Sequence, residues 1–478
     1  MAEEKKNSGP ITRKGMINYK KHPASYRDPA GFIFKHEENF YRQVNHAYAP
    51  HYELLKKSGL YDVLVKEKKI LAHTEINKNF TGDAQWYTTL LPEQLSFVTY
   101  PYEWCFSQWK NAALHTLDLV KTSISHGMIL KDATPFNIQF VNGMPVLIDS
   151  LSFEKYDASK PWVAYRQFTE CFIAPLLLAK YTTAEMLKIF QVYPDGIPLQ
   201  VISKLLPFKS KFNTNIFLHI HLPNLLKSNQ NSAQEKRVVF TQQKLFSIIS
   251  NLYSFVSALS LPAAVTKWNN YYDETILSNS YAKAKMEIIK NWLADSPAQT
   301  VLDIGTNTGL FAVAAAESGK FTIAVDADVA CIDNLYNECR QKRISNLIPL
   351  CIDITNPSPA IGWANAERPS FAGRMKTDLT MALALVHHLA IGKNIPFQKM
   401  AETFSGFSPF LIIEFVPKSD PKVQLLLQQR EDIFNAYSEA FFLEAFLTEF
   451  TVIKKEAVPG TERVLFLMKK ITPALQAD

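Results

Sequence analysis

The sequence predicts an α/β protein whose C-terminal part is built on a parallel sheet and whose N-terminal part is α+β. Three observations carry this. From about Lys267 onward, short apolar runs alternate with amphipathic segments, the pattern of strands joined by crossover helices. Residues 160–260 are mostly helical in spacing, and the first third opens with aromatic and β-branched runs bounded by turn residues. The 478-residue length, at roughly 150 residues per domain, corresponds to about three folding units or two large ones.

Taken in order, the first thirty residues are polar and basic and read as an arm. Gly31–Lys35 and Phe40–Val44 read as a hairpin, and residues 45–58 as a helix. Trp86–Leu91 and Leu95–Tyr102 are strand candidates, and Asn111–Ser125 has helical spacing. Thr169–Lys180, Thr183–Phe190 and Gln242–Leu261 follow as helices, with the polar stretch Lys227–Arg237 as an exposed loop. The divisions expected are an arm over 1–30, a module over 31–225, a helical linker region over 226–265 and a final domain over 266–478.

Composition excludes several classes. Apolar residues make up 47% and charged residues 20%, a globular balance. Fifty-one Lys and Arg against forty-five Asp and Glu leave +6, too weak an excess to indicate a nucleic-acid partner. Cys105, Cys171, Cys331, Cys339 and Cys351 form no C-x-x-C pair, so neither a disulfide framework nor a zinc knuckle is expected. The N-terminus lacks an apolar signal region and no run reaches the ~18 apolar residues of a membrane span. A soluble, cytoplasmic protein without a membrane partner is the expectation.

The C-terminal part carries the clearest constellation. The strand Thr300–Ile304 runs into Gly305-Thr306-Asn307-Thr308-Gly309 and then a helix, Leu310–Ser318. A glycine bend lets the backbone approach a ligand, and a helix N-terminus offers unpaired N–H groups. The next strand, Phe321–Val325, ends in Asp326, an acid placed to accept ribose hydroxyls; a third, Ile348–Cys351, leads to Asp353. A fourth, Leu379–Val386, follows Asp378 and precedes His387 and His388; Glu414 ends the fifth. Asn307 and Leu310 stand where the full dinucleotide fingerprint has further glycines, which disfavours a pyrophosphate and suits S-adenosylmethionine.

On these residues, Thr300–Lys470 resembles the Rossmann-like class I S-adenosylmethionine-dependent methyltransferases. Leu383-Ala-Leu-Val-His-His-Leu389, Asn356-Pro-Ser-Pro359 and Ile413-Glu-Phe-Val-Pro-Lys418 look more narrowly like the nodulation-protein-like group. The resemblance implies that Asp303, Gly305, Thr306, Asn307 and Gly309 surround the methionine part, Asp326 the ribose and Asp353 the adenine amine. It also implies a closing antiparallel hairpin, for which Thr451–Lys454 and Val464–Met468 fit. Methyl transfer is an in-line displacement that needs alignment more than a strong base. With a hydroxyl acceptor, His387, His388 or Glu414 is placed to take the proton, and strand alternation would turn only one of the two histidines inward. The fourth strand lacks an Asn/Asp-Pro-Pro-aromatic tetrad, which argues against nucleobase methylation; transfer to an oxygen of an unidentified acceptor is the expectation.

In the N-terminal part, Asp132-Ala-Thr-Pro-Phe-Asn137 followed by Val146-Leu-Ile-Asp149 resembles the catalytic and metal-binding loops of protein kinase-like phosphotransferases. That resemblance implies a kinase-like site at Asp132, Asn137 and Asp149, with Tyr100–Trp104 as a hinge. Leu130-Lys131 replace His-Arg, Ser150-Leu151 replace Phe-Gly, and no glycine-rich phosphate loop is visible; Arg42 is a candidate for the missing strand lysine. A degenerate module supporting the methyltransferase is one reading. An ATP/Mg-binding phosphotransferase or pseudokinase module with a non-catalytic methyltransferase-shaped domain is the alternative. His219-x-His221 has no acidic or Cys partner nearby and reads as packing, so no metal site is expected. Trp268–Tyr272 reads either as acceptor pocket or as core.

Overall fold

The computed structural model describes residues 19–228, 241–261, 279–428 and 431–472. The polar stretch after Ser228, the aromatic run Trp268–Tyr272 and most of the N-terminal arm lie outside them.

The N-terminal part opens with a five-stranded antiparallel sheet. Its strands are β1 (Lys20–Lys21), β2 (Gly31–His36), β3 (Asn39–Asn45), β4 (His73–Ile76) and β5 (Trp86–Pro92), ordered β1-β2-β3-β5-β4. The expected hairpin is β2–β3, closed by Glu37 in left-handed conformation. The helix expected over 45–58 is a 3-10 turn, His46–Tyr48, running into Ala49–Lys57. Leu95–Tyr102 is not a strand. The Thr99 N–H donates to the Gln139 side chain at 2.8 Å and that side chain returns a bond to the Thr99 carbonyl at 2.9 Å, so the peptide is satisfied outside any ladder.

Helix Phe106–Ser125 follows, buried along one side by Trp109, Ala113, Leu117 and Val120. Two small ribbons come next: β6 (Met128–Leu130) pairs with β9 (Phe153–Lys155), and β7 (Ile138–Val141) with β8 (Met144–Leu147). Helix Gln242–Ser257 packs along Phe106–Ser125 through Leu245, Ile249 and Leu252, so this segment is part of the N-terminal packing.

The C-terminal sheet contains β10 (Thr300–Ile304), β11 (Phe321–Asp326), β12 (Leu347–Cys351), β13 (Leu379–Ala382), β14 (Phe410–Phe415), β15 (Phe450–Ala457) and β16 (Val464–Lys470). Their spatial order is β12-β11-β10-β13-β14-β16-β15. The first five are parallel and β16 is antiparallel to both neighbours, the hairpin expected from the sequence. Both faces are covered, which is why the central strands are apolar at successive positions. Val301 packs with helix Asn279–Asp295 on one face, whereas Leu302 and Ile304 face the larger core on the other.

That larger core runs without a break from Tyr52 and Trp109 through Phe140 and Tyr336 to Leu350 and Val386, so the two parts share one apolar interior. Polar contacts cross the same junction. Ser107 donates to Asp333 at 2.8 Å, Asn111 to the Tyr336 hydroxyl at 3.0 Å, and buried Glu103 accepts from Ser358 at 2.5 Å and pairs with Arg374.

The fourth strand is shorter than expected. It stops at Ala382; Ala384 takes a left-handed conformation (φ 50°), and residues 386–392 turn helically. His387 and His388 therefore stand on a helical turn, where strand alternation does not apply.

Candidate functional site

A cavity of about 530 Å³ opens at the C-terminal ends of β10, β11, β12 and β13. This is where open α/β sheets bind ligands, and the volume lies within the range of small-molecule sites.

The first wall is the bend after β10. Gly305 has φ 72°, and a Cβ there would meet Leu385 Cδ1 at 3.2 Å. Asn307 also takes a positive φ of 51°, and its N–H donates to Asp326 Oδ2 at 2.8 Å. The second oxygen of Asp326 accepts the Asp328 N–H at 2.9 Å. Backbone donors thus brace both oxygens of this carboxylate, which lines the cavity together with Asn307 and Asp328. Burial pushes its pKa above the ordinary value, against these two bonds.

Asp353 lines the cavity one strand further on, its Oδ1 held by the Thr355 N–H at 2.9 Å and the Thr355 hydroxyl at 2.7 Å. The apolar part of the lining is Ile304, Ala327, Ile352, Leu383 and Leu385, and Asp328 and Thr355 also face the cavity. His388, Leu389 and Lys393 form the wall beyond β13.

Other candidates stand behind that surface. Asp303 is buried, accepts the Thr306 hydroxyl at 2.6 Å, and burial raises its pKa to about 6. Thr306 is buried with it. Gly309, at φ 85°, begins the helix Leu310–Glu317, and a Cβ there would come within 2.3 Å of Leu335; its requirement is packing. The structure thus brings Gly305, Asn307, Asp326, Asp353 and His388 together and leaves Asp303, Thr306 and Gly309 as their support.

Two candidate bases take other positions. Glu414 is completely buried and accepts from Tyr281 at 2.8 Å and from Lys285 at 2.5 Å, with Arg463 3.5 Å away. Burial opposes its charge, but Lys285 and Arg463 outweigh that and hold its pKa below the ordinary value. Arg463 is itself clamped by Asp420, at 2.7 and 3.0 Å. A carboxylate engaged by three donors is a structural anion. Its partners come from the helix Asn279–Asp295 and from β15–β16, sequence segments too distant for the pairing to be read from spacing.

His387 is also fully buried, its ring 4.1 Å from that of His388, and neither ring nitrogen has a partner among the described residues. Burial holds its pKa well below the ordinary value. His388 is the member of the pair on the cavity wall, and burial lowers its pKa to about 4, so it is neutral at pH 7.

Asp378 lies at the opposite end of the sheet. Its carboxylate accepts the N–H groups of Gln299 and Thr300 at 2.8 and 2.9 Å, tying the starts of β10 and β13.

In the N-terminal part, Asp132, Asn137 and Asp149 do come together. Asn137 Nδ2 donates to Asp132 Oδ2 at 3.0 Å, and Gln167 donates to the other oxygen at 2.6 Å. Asp149 accepts from Arg42 at 2.7 Å and from the Leu151 N–H at 2.9 Å. Burial, and secondarily the charge of Asp149, raises the pKa of Asp132. His219 is engaged by Tyr165 and Asn251, and His221 by Ser203 and Ser210, at 2.6–3.1 Å. No group of three potential metal ligands occurs among the described residues. Nor is any described helix long and apolar enough to cross a membrane.

Comparison with known proteins places this geometry in a family. The chain is 32% identical to nodulation protein NoeA of Rhizobium meliloti (strain 1021) over 458 residues, covering 93% of this chain and 95% of that protein. The chain belongs to the NoeA family of nodulation proteins. No family model matches it. Among solved structures, the N-methyltransferase NodS from Bradyrhizobium japonicum WM9, in complex with S-adenosylhomocysteine, aligns over 43% of this chain and 100% of its own. The identity is 11% and the TM-score 0.31. The bifunctional kinase-methyltransferase WbdD aligns over 45% of each chain at 14% identity and a TM-score of 0.29.

Proposed function

We propose that the protein is an S-adenosylmethionine-dependent methyltransferase acting on an oxygen of its acceptor. The observation that carries this reading is the pair Asp326 and Asp353 on consecutive strand ends, lining one cavity with the Gly305 bend. Five parallel strands closed by an antiparallel hairpin, in the order given above, are the arrangement that the sequence resemblance implies.

The residues fit the cofactor. Asp326 suits two ribose hydroxyls, Asp353 a purine amine, and Ile304, Leu383 and Leu385 the flat faces of the base. Bound there, the cofactor supplies an electrophilic methyl group on a sulfonium. What the chain contributes is position: the Gly305–Asn307 bend holds main chain close to the ligand, and the apolar lining limits water at the reacting centre. His388, neutral and on the wall beyond β13, is placed to take the proton of an acceptor hydroxyl as the new bond forms.

The N-terminal part supports this domain as a kinase-like module without phosphotransfer. Asp132, Asp149 and the Thr99 peptide are each engaged by a side chain of the protein itself. Incubating a cell extract with the enzyme and cofactor labelled at the methyl carbon tests the reading. Label is expected in an extract component with the wild type and not with Asp326→Ala; equal labelling with both contradicts the assignment.

A further inference from the structure

We propose that the N-terminal part forms one wall of the cofactor cleft, and that Glu185 on that wall selects an amino-purine over an oxo-purine. The inference rests on the cofactor reading above. Glu185 belongs to the 3-10 helix Ala184–Gln191 of the N-terminal part, yet it lines the same cavity as Asp353, Thr355 and Lys393.

Its placement is fixed. Leu187 and Phe190 of the same helix are buried, and the Phe190 ring meets Trp109 edge-on at 5.1 Å. The helix packs on Pro101–Glu103, and Glu103 is in turn held by Arg374 and Ser358 from the C-terminal part. The positive charge of Lys188, on the same helix, acts to lower the pKa of the buried Cys351 thiol at the end of β12, against the effect of burial. Glu185 therefore lines the cavity shared with the carboxylate proposed for the purine amine, on an anchored element.

The chemistry follows from counting donors. The 6-amino group of adenine offers two N–H bonds, and carboxylates on separate elements can each accept one. A 6-oxo purine presents a carbonyl oxygen to the same place, and the carboxylates repel it. Asp353 alone would satisfy one N–H; Glu185 supplies the second acceptor.

The test is calorimetric titration of the full chain with S-adenosylhomocysteine and with S-inosylhomocysteine, its 6-oxo counterpart. The wild type is expected to prefer the amino form by about tenfold or more, the value of a hydrogen bond to a charged group. Glu185→Ala is expected to weaken the amino form by about tenfold and, by removing a repelling carboxylate, to strengthen the oxo form, so that the preference shrinks to what Asp353 alone provides. Glu185→Lys should reverse the sign of the contact and weaken the amino form further. Glu185 is exposed, so thermal melting of both variants should match the wild type. An unchanged preference in Glu185→Ala overturns this inference while leaving the cofactor reading intact, and an equal loss for both ligands overturns the amine contact. A wild type that binds neither ligand overturns the cofactor reading and this inference with it.

Discussion

Asp132 and Asp149 in the N-terminal part and Asp326 and Asp353 in the C-terminal part all follow strands and stand beside turns, yet their partners differ. Asp132 and Asp149 are engaged by long side chains from other elements, Asp132 by Gln167 and Asp149 by Arg42 through its Oδ1. Asp326 and Asp353 are braced by backbone N–H groups, that of Asn307 on the neighbouring bend and those of Asp328 and Thr355 in the turns that follow them, and they line a cavity. Bracing by backbone N–H groups orients a carboxylate without adding a charge beside it, whereas Arg42 places a cation against Asp149. The same residue type at the same kind of position thus meets side-chain partners in one part and backbone partners beside a cavity in the other.

The largest expected effect comes from the buried charges that this contrast assigns to structure. Removing Arg463 with Arg463→Met strands Asp420 in the interior and leaves Glu414 to Lys285 alone among cations, and losing one partner of a buried ion pair costs about 3–5 kcal/mol. Urea denaturation should show that loss. Unchanged stability would mean that Glu414 is not a structural anion, and would return it to the list of candidate bases.

Next comes His388→Ala, expected to lower turnover about a hundredfold while leaving cofactor affinity intact. Because burial lowers the His388 pKa to about 4, its proton-accepting form persists on acidification, and turnover should fall as pH drops through about 4 rather than near 6.5. The linkage has the same sign: the folded state resists protonation, so this group makes stability decrease as pH falls from about 6.5 toward 4. A turnover profile breaking near 6.5 would place the base elsewhere.

A smaller effect is expected from Arg42→Ala, which frees Asp149 from its cation and should cost about 1–3 kcal/mol of stability. Affinity for S-adenosylhomocysteine should not change. A loss of that affinity would mean that the N-terminal cluster is coupled to the cleft, and the contrast between the two parts would narrow.

Much of this was legible in the residues because it is local. The glycine bend, Asp326 and Asp353 follow strands whose apolar runs announce them, and the closing antiparallel hairpin is what the family resemblance implies, with Thr451–Lys454 and Val464–Met468 fitting it. What was hidden depends on contacts distant in sequence. The span Leu95–Tyr102 looked like a strand because Phe97, Val98 and Tyr100 are β-formers, but Gln139, forty residues on, takes up the Thr99 peptide. Glu414 looked like a base at a strand end until Tyr281 and Lys285, more than a hundred residues earlier, were found against it. The shortened fourth strand, with Ala384 at positive φ, moved the histidine pair off the strand and settled which one lines the cavity. Glu185 carried no signal, since an exposed glutamate acquires a role only from the wall it stands on.

The central claim is that the cleft at Gly305, Asp326 and Asp353 holds an adenosyl cofactor while the N-terminal cluster holds no nucleotide. Calorimetry of the full chain with S-adenosylhomocysteine and, separately, with Mg-ATP tests both halves of it. Saturable heat is expected with S-adenosylhomocysteine alone, weakened about a hundredfold by Asp326→Ala through loss of its bonds to the ribose. Heat with Mg-ATP alone, abolished by Asp149→Ala, would contradict the account.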